Sequence, residues 1–258
     1  MLFLISPAKS LDYETPAHVK KASTPQFMAQ STELIDVLKT RSVAEVGRLM
    51  DLSESLATLN VGRYAAWSPR FTARNSKPAV LAFNGDVYDG LDAKTLDEDD
   101  LAWAQQHLVI LSGLHGVLRP LDKLQPYRLE MGTALATARG RNLYEFWGDT
   151  IAEHLNKRLA ADASPVIVNL ASQEYFRAAD RRVLKARVVE CVFEDWKNGR
   201  YKVISFFAKR ARGLMARHAI RQRIATPKSL ETFAADGYAF DAGVSVPERL
   251  VFRRKPAG

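Results

Sequence analysis

This chain of 258 residues contains one cysteine, Cys191, so no intramolecular disulfide and no cysteine-built metal site can form within one copy. Cys191 lies in Val188-Val-Glu-Cys-Val-Phe193 and reads as a small apolar strand residue. A redox sensor, the alternative, would need exposure and a depressed pKa. The five histidines, His18, His107, His115, His154 and His218, are dispersed without an H-x-H or H-E-x-x-H pattern, and no metal site is predicted. Gly-x-Ser-x-Gly and Walker patterns are absent, no catalytic motif of a known class is found, and no cofactor is expected. No apolar run approaches the ~20 residues of a membrane-spanning helix. The opening Met1-Leu-Phe-Leu-Ile-Ser-Pro7 has no basic region and meets proline too early for a signal peptide, so a cytoplasmic protein is expected. No repeat, low-complexity tract or Ser/Gly linker marks a boundary, and residues 1–258 are expected to form a single domain.

The composition, 47% hydrophobic and 26% charged, is that of a globular protein and excludes general disorder. The net charge of +8 is unevenly spread. Residues 177–223 hold 14 Lys and Arg against 4 Asp and Glu, a surplus of ten that leaves the rest of the chain at −2. A localised basic surface suits a polyanion, whether nucleic acid or a phosphorylated ligand.

Short apolar runs at Leu2–Ile5, Pro78–Phe83, Leu108–Leu111 and Pro165–Leu170 predict buried strands. Helices are predicted from Thr24-Pro25 onward, with Phe27, Leu34, Ile35 and Leu38 on one face, over Val43–Met50, and over Ser53–Trp67 with Ser53 as N-cap. Further helices are predicted from Asp97 to His107, where the acidic start favours the positive end of the helix dipole, and over Leu143–Leu159. Ala186–Glu194 and Arg200–Phe206 flank Asn198-Gly199, a strong hairpin signal. A basic helix from Phe207 to Ile224 and a strand at Leu250–Phe252 follow. Strands alternating with helices predict a mixed α/β (α+β) single domain with a central sheet flanked by helices.

The stretch Leu111–Gly132 follows a buried strand with Ser112, Gly113, Gly116, Arg119, Asp122, Tyr127 and Arg128. In open α/β sheets ligands sit beyond the carboxyl ends of strands. The glycines can bring backbone N–H groups to an anion, and Arg119 and Arg128 offer forked donors. Alternatively the arginines and Asp122 pair with one another and pin the loop. Lys9 and Asp12 after the first strand, and Asn169 and Ser172 at the end of the fourth, can converge with these residues and Lys209 on one polar pocket. In the basic helix, Phe207, Ala211, Leu214, Met215 and His218 share an apolar face that would pack His218 into the core. Arg210, Arg217 and Arg221 form a stripe beside it that either tracks phosphates or is simply solvated. Lys209, Arg212 and Arg223 point elsewhere, toward another wall of a cleft.

Ser6-Pro-Ala-Lys-Ser-Leu-Asp12, Phe83-Asn-Gly-Asp-Val-Tyr-Asp-Gly-Leu91, Ser112–Gly132, Phe146-Trp-Gly-Asp149, Asn169-Leu-Ala-Ser172 and Ala208-Lys-Arg-Ala-Arg-Gly-Leu-Met215 resemble, in order and over nearly the whole chain, the motifs of the YaaA peroxide-stress family. The resemblance implies a protein that limits unincorporated iron and binds double-stranded DNA through a positively charged cleft. It also implies an unusual α/β fold with a helix-hairpin-helix element, placed here at Val43–Tyr64, although the Gly-hydrophobic-Gly turn is missing. DNA contact is assigned to Lys209, Arg210, Arg212, Arg217 and Arg221. The competing expectation is an enzyme acting on a nucleotide or other phosphorylated small molecule, with Lys9, Ser112, Arg119, Arg128 and Lys209 around it. A third is an iron-handling partner protein.

Overall fold

A computed structural model describes residues 1–255 of the chain. Strand β1 (Leu2–Ile5) is buried at all four positions, as befits a parallel strand covered on both faces. After β2 (Ser10–Leu11) come α1 (Met28–Lys39), α2 (Val43–Met50) and α3 (Glu54–Ala66). Leu34, Ile35 and Leu38 of α1 are buried. Ser42 and Glu45 close a reciprocal capping box on α2, and Ser53 caps α3. The helix pair expected over Val43–Tyr64 is therefore formed. Its turn, with Asp51 left-handed at φ 51°, presents the exposed carboxylates of Asp51 and Glu54, which oppose a phosphate there.

β3 (Lys77–Pro78), α4 (Ala79–Ala82), β4 (Phe83–Asn84) and α5 (Asp86–Leu91) follow. The strand expected over Pro78–Phe83 is thus replaced in its middle by one buried helical turn. Periodicity cannot separate strand from buried helix in so short an apolar run. The N–H groups of Ala79 and Val80 are met by the carbonyls of Asp122 and Pro120. α6 (Glu98–His107), capped by Asp97, leads into β5 (Leu108–Ser112), which folds back into β6 (Gly116–Leu118) and on to β7 (Lys123–Leu124). The helix expected over Leu143–Leu159 is divided into α7 (Leu143–Trp147) and α8 (Thr150–Arg158), because Gly148 adopts φ 47°, which breaks the helix.

β8 (Val166–Leu170), α9 (Gln173–Phe176), β9 (Arg187–Lys197) and β10 (Arg200–Lys202) come next. Asn198 and Gly199, at φ 55° and 78°, make the two-residue hairpin turn that their identities predict. β10 ends at Lys202, short of the expected Phe206, and α10 (Ser205–Arg221) begins and ends earlier than expected. β11 (Ala234–Ala235), β12 (Tyr238–Phe240) and β13 (Arg249–Arg254) complete the described chain.

One mixed sheet runs in the order β11-β12-β13-β9-β8-β1-β5-β6, with β10 paired to β9. β13, β9, β8, β1 and β5 are parallel and the remaining members antiparallel. Two short ladders, β2 with β4 and β3 with β7, lie outside it. The result is the mixed α/β fold predicted, a central sheet with helices around it. From β1 the chain goes to its neighbour β5, whereas from β8 it goes to β9 on the other side. Connections therefore diverge between β1 and β8, where open α/β sheets leave a crevice.

α10 packs on α5 backbone to backbone. A Cβ added at Gly213 would fall on the carbonyl oxygen of Val87, and one at Gly90 on that of Arg210. Gly213→Ala is therefore expected to destabilise the fold by about 1–3 kcal/mol through overpacking. Gly62→Ala, in α3 with nothing within 4 Å of the added carbon, should stabilise by about 0.5–1 kcal/mol through helix propensity. Urea unfolding of both variants checks this, and equal effects would refute the close-contact account.

Candidate functional site

β1 and β8 run in register and end level, Ile5 beside Leu170. The segments that follow them therefore emerge side by side, and Ser6 Oγ accepts the N–H of Ser172 at 2.9 Å. A cleft of about 410 Å³ opens at this point. Its walls are Ser6–Ser10 after β1, Leu170–Tyr175 after β8, the start of α5, the loop Tyr127–Glu130, and Lys209 and Arg212 of α10. The close α5–α10 contact sets those last two side chains over the opening, one helical turn apart.

Lys9 and Arg128 both bind Glu130, Lys9 Nζ at 2.9 Å and Arg128 Nη2 at 3.0 Å. Tyr127 lines the cleft and its hydroxyl lies 2.6 Å from buried Ser112 Oγ, which accepts the N–H of His115 at 2.9 Å. Ser112 thus supports Tyr127 from behind the wall. Asn169 Oδ1 accepts the N–H of Ala171 at 2.9 Å and shapes the turn that delivers Ser172. Glu174 Oε1 accepts the N–H of Gly132 at 2.9 Å and ties two walls together. Of the predicted set, Lys9, Tyr127, Arg128, Ser172, Lys209 and Arg212 meet at the cleft, with Ser112 and Asn169 supporting them.

Other predicted residues lie elsewhere. Arg119 and Asp122 bind each other, with Nη2 to Oδ1 at 3.1 Å, and buried Asp122 also accepts Ser23 Oγ–H at 2.6 Å. They pin their loop, the alternative left open above. Asp12 is held in a neighbouring depression by Lys94 at 3.0 Å and buried Lys77 at 3.6 Å. The N–H of Thr15, then the Lys94 and Lys77 ammonium groups, keep its carboxyl well below the usual carboxylate range. The arginine stripe of α10 is engaged by other parts of the chain, although Arg210 and Arg221 stay substantially exposed. Arg210 pairs with Asp236 at 2.9 Å. Arg217 donates to the carbonyls of Leu91 and Asp92 at 3.0 and 2.9 Å, capping α5. Arg221 and Arg223 hold Asp100 near the start of α6, at 2.7 and 2.9 Å. His218 is only half-buried, with Nε2 at 3.2 Å from Thr232 Oγ1, because the buried face of α10 is shifted to Ala208, Ala211, Met215, Ala216 and Ala219, which also leaves Phe207 exposed and Leu214 half-buried.

Sequence reasoning did not single out Ser6, Ser10, Tyr88, Glu130, Glu174 and Tyr175 of the cleft wall. Ser6 was legible as the first polar residue after a buried strand, and Glu130 sits within the loop already marked. Glu174 and Tyr88 carry no such signal. Among the described residues no group of three or more His, Cys, Asp and Glu side chains is placed to hold a metal ion, and no helix is long and apolar enough to cross a membrane. Cys191 is buried, and burial pushes its thiol up.

His115, fully buried behind Tyr127, has its Nδ1 2.8 Å from Ser31 Oγ, and burial lowers its pKa to about 3. Its Nε2 meets no hydrogen-bond partner. The unfolded chain takes up a proton on this residue below pH ~6.5 that the folded one refuses, so the contribution is intact above that pH and is lost on acidification. About 2 kcal/mol should be gone by pH 5 from this group alone. Denaturant unfolding at pH 7 and pH 5 should show a smaller difference for His115→Gln than for the unaltered protein, and an unchanged difference would refute the account.

A model of the family described as peroxide stress protein YaaA matches residues 1–243. The chain is similar over its whole length to a UPF0246 protein of Paracidovorax citrulli, 67% identical over 259 residues, which covers 100% of both chains. A UPF0246 protein of Polaromonas naphthalenivorans is 68% identical over 254 residues, 98% of each chain. One from Bordetella pertussis is 62% identical over 257 residues, 100% of each. A family match of this extent, with five of the six motifs meeting at one cleft and at the glycine contact that frames it, means that the chain belongs to the YaaA family of peroxide stress proteins.

Proposed function

We propose that this protein acts in peroxide stress by binding duplex DNA along the mouth of the cleft and by limiting unincorporated iron. The observation that supports DNA contact is a set of cations left without partners. From Trp196 to Leu230 the chain has no Asp or Glu. Within that stretch Arg210, Arg217, Arg221 and Arg223 are used internally. Lys197, Arg200, Lys202 and Lys209 have no carboxylate at ion-pair distance among the described residues.

Of these cations Lys209 lines the cleft itself, and the other three sit on or beside the β9–β10 hairpin. β9 continues from Glu190, opposite Asn169 of β8, to Lys197 before turning into β10. The hairpin therefore overhangs the carboxyl edge of β8, where the cleft opens. Exposed amines and guanidinium groups set around a groove bind phosphates through counterion release with little base readout. Unincorporated ferrous iron reduces peroxide to hydroxyl radical beside DNA, so lowering that iron and covering DNA would protect the same target.

Fluorescence anisotropy of a labelled duplex should show affinity falling steeply with salt. Lys209→Ala and Arg200→Ala should each reduce the salt slope by about one unit. Arg217→Ala should leave the slope unchanged while lowering stability. Affinity indifferent to salt, or a slope that follows Arg217 and not Lys209, would refute DNA contact by this surface.

A further inference from the structure

Within α10 one guanidinium differs from the rest. Arg210, Arg217 and Arg221 each meet a carboxylate. Arg212 is half-buried on the cleft wall, and no ion pair or hydrogen bond reaches its guanidinium among the described residues. Glu190 attracts it without closing a pair, and desolvation outweighs that attraction, lowering its pKa. A desolvated cation without a partner is unfavourable unless a ligand supplies the missing charge. A guanidinium meets phosphate through forked, charge-assisted hydrogen bonds. Lys209 stands one turn away on the same wall.

The opposite wall has a different chemistry. Glu130 has both oxygens engaged, by Arg128 and Lys9. Glu174 uses one oxygen on Gly132 N–H and keeps the other without a partner among the described residues. Asp86 and the hydroxyls of Ser6, Ser10 and Ser172 add further polar groups. With three carboxylates against four cations, the interior is nearly balanced and mismatched to a continuous polyanion. It suits a molecule with one anionic end and hydrogen-bond donors at the other. A volume of about 410 Å³ is in the range of small-molecule sites. Another cleft, of about 400 Å³, holds Arg187 and Lys228, which are already paired with Glu248 and Glu231.

We infer that the interior of the cleft is a binding site for a hydroxyl-bearing phosphate monoester, a nucleotide or a sugar phosphate, with the phosphate on Arg212 and Lys209 and a hydroxyl or amino group on Glu174. The inference shares with the proposed function the assignment of the cleft as a phosphate site, and it stands or falls apart from duplex binding at the mouth.

The full-length protein is titrated calorimetrically with inorganic phosphate, a nucleoside monophosphate, its parent nucleoside and a hexose phosphate, and its Tm is followed with each. A phosphate ester should bind and raise Tm by a few degrees, while the nucleoside does neither; which ester binds more tightly separates nucleotide from sugar phosphate. Arg212→Gln should weaken the ester at least tenfold and raise Tm in the absence of ligand, since the unpaired cation is gone. Glu174→Gln should weaken the ester but not inorganic phosphate. No binding by any phosphate compound, or equal binding to Arg212→Gln, overturns the inference. Duplex affinity is measured on the same samples. Ester binding without duplex binding supports the interior site and removes only the DNA reading, and duplex binding without ester binding does the reverse.

Discussion

The contact at Gly90 and Gly213 is the constraint on which the rest of the site depends. Two helices can approach until carbonyl oxygens touch Cα positions only where both lack a Cβ, and here each glycine faces the other helix's backbone. That approach fixes the rotation of α10 about its axis. Once fixed, Arg217 lands on the open carbonyls at the end of α5, where a cation offsets the helix dipole. Arg221 and Arg223 land on Asp100, and Lys209 and Arg212 are left over the ends of β1 and β8. A helix held further away by one methyl group would disturb the α5 cap, the Asp100 pairing and the cleft wall together.

The sheet supplies the second half of the arrangement. Parallel strands buried on both faces have no polar work along their length, so their polar residues fall immediately beyond their carboxyl ends. Ser6 after Ile5 and Ser172 after Leu170 follow this rule, and the register between β1 and β8 makes them neighbours. The family's motifs at Ser6–Asp12, Phe83–Leu91, Ser112–Gly132, Asn169–Ser172 and Ala208–Met215 are thus far apart in sequence because each is the end of a strand or the wall of a helix around one crevice.

What was legible in the sequence follows from how local its causes are. Leu2–Ile5, Leu108–Leu111 and Val166–Leu170 announce themselves because burial on both faces leaves no choice of residue. Asn198-Gly199 does so because few other pairs take two left-handed residues in a row. The apolar run at Pro78–Phe83 deceives, since its helical turn is set by carbonyls of a loop some forty residues later. Gly148 divides a helix by a backbone angle that composition does not reveal. In the candidate site, residues that sit at strand ends or in the marked loop were recognisable, whereas Glu174 was not. Its significance comes from a bond to Gly132 across the cleft.

The arginines of α10 show why charge counted along a chain locates a binding surface poorly. The surplus of ten between residues 177 and 223 includes side chains of three kinds. Arg210, Arg217, Arg221 and Arg223 neutralise carboxylates or cap a helix, and their charge is spent on the fold. Lys197 and Arg200 stand in solvent without ion-pair partners among the described residues, where water already satisfies them and any phosphate contact is weak and salt-sensitive. Arg212 is neither paired nor well hydrated. Pairing is non-local and hydration depends on burial, so a charge count weighs Arg210 and Arg212 equally while the structure does not. A ligand gains most at the site where the protein has already removed water from a cation and given it nothing in return. On that ground the recognition expected of this fold is concentrated at one guanidinium inside the cleft, with the hairpin cations serving to draw an anion toward it.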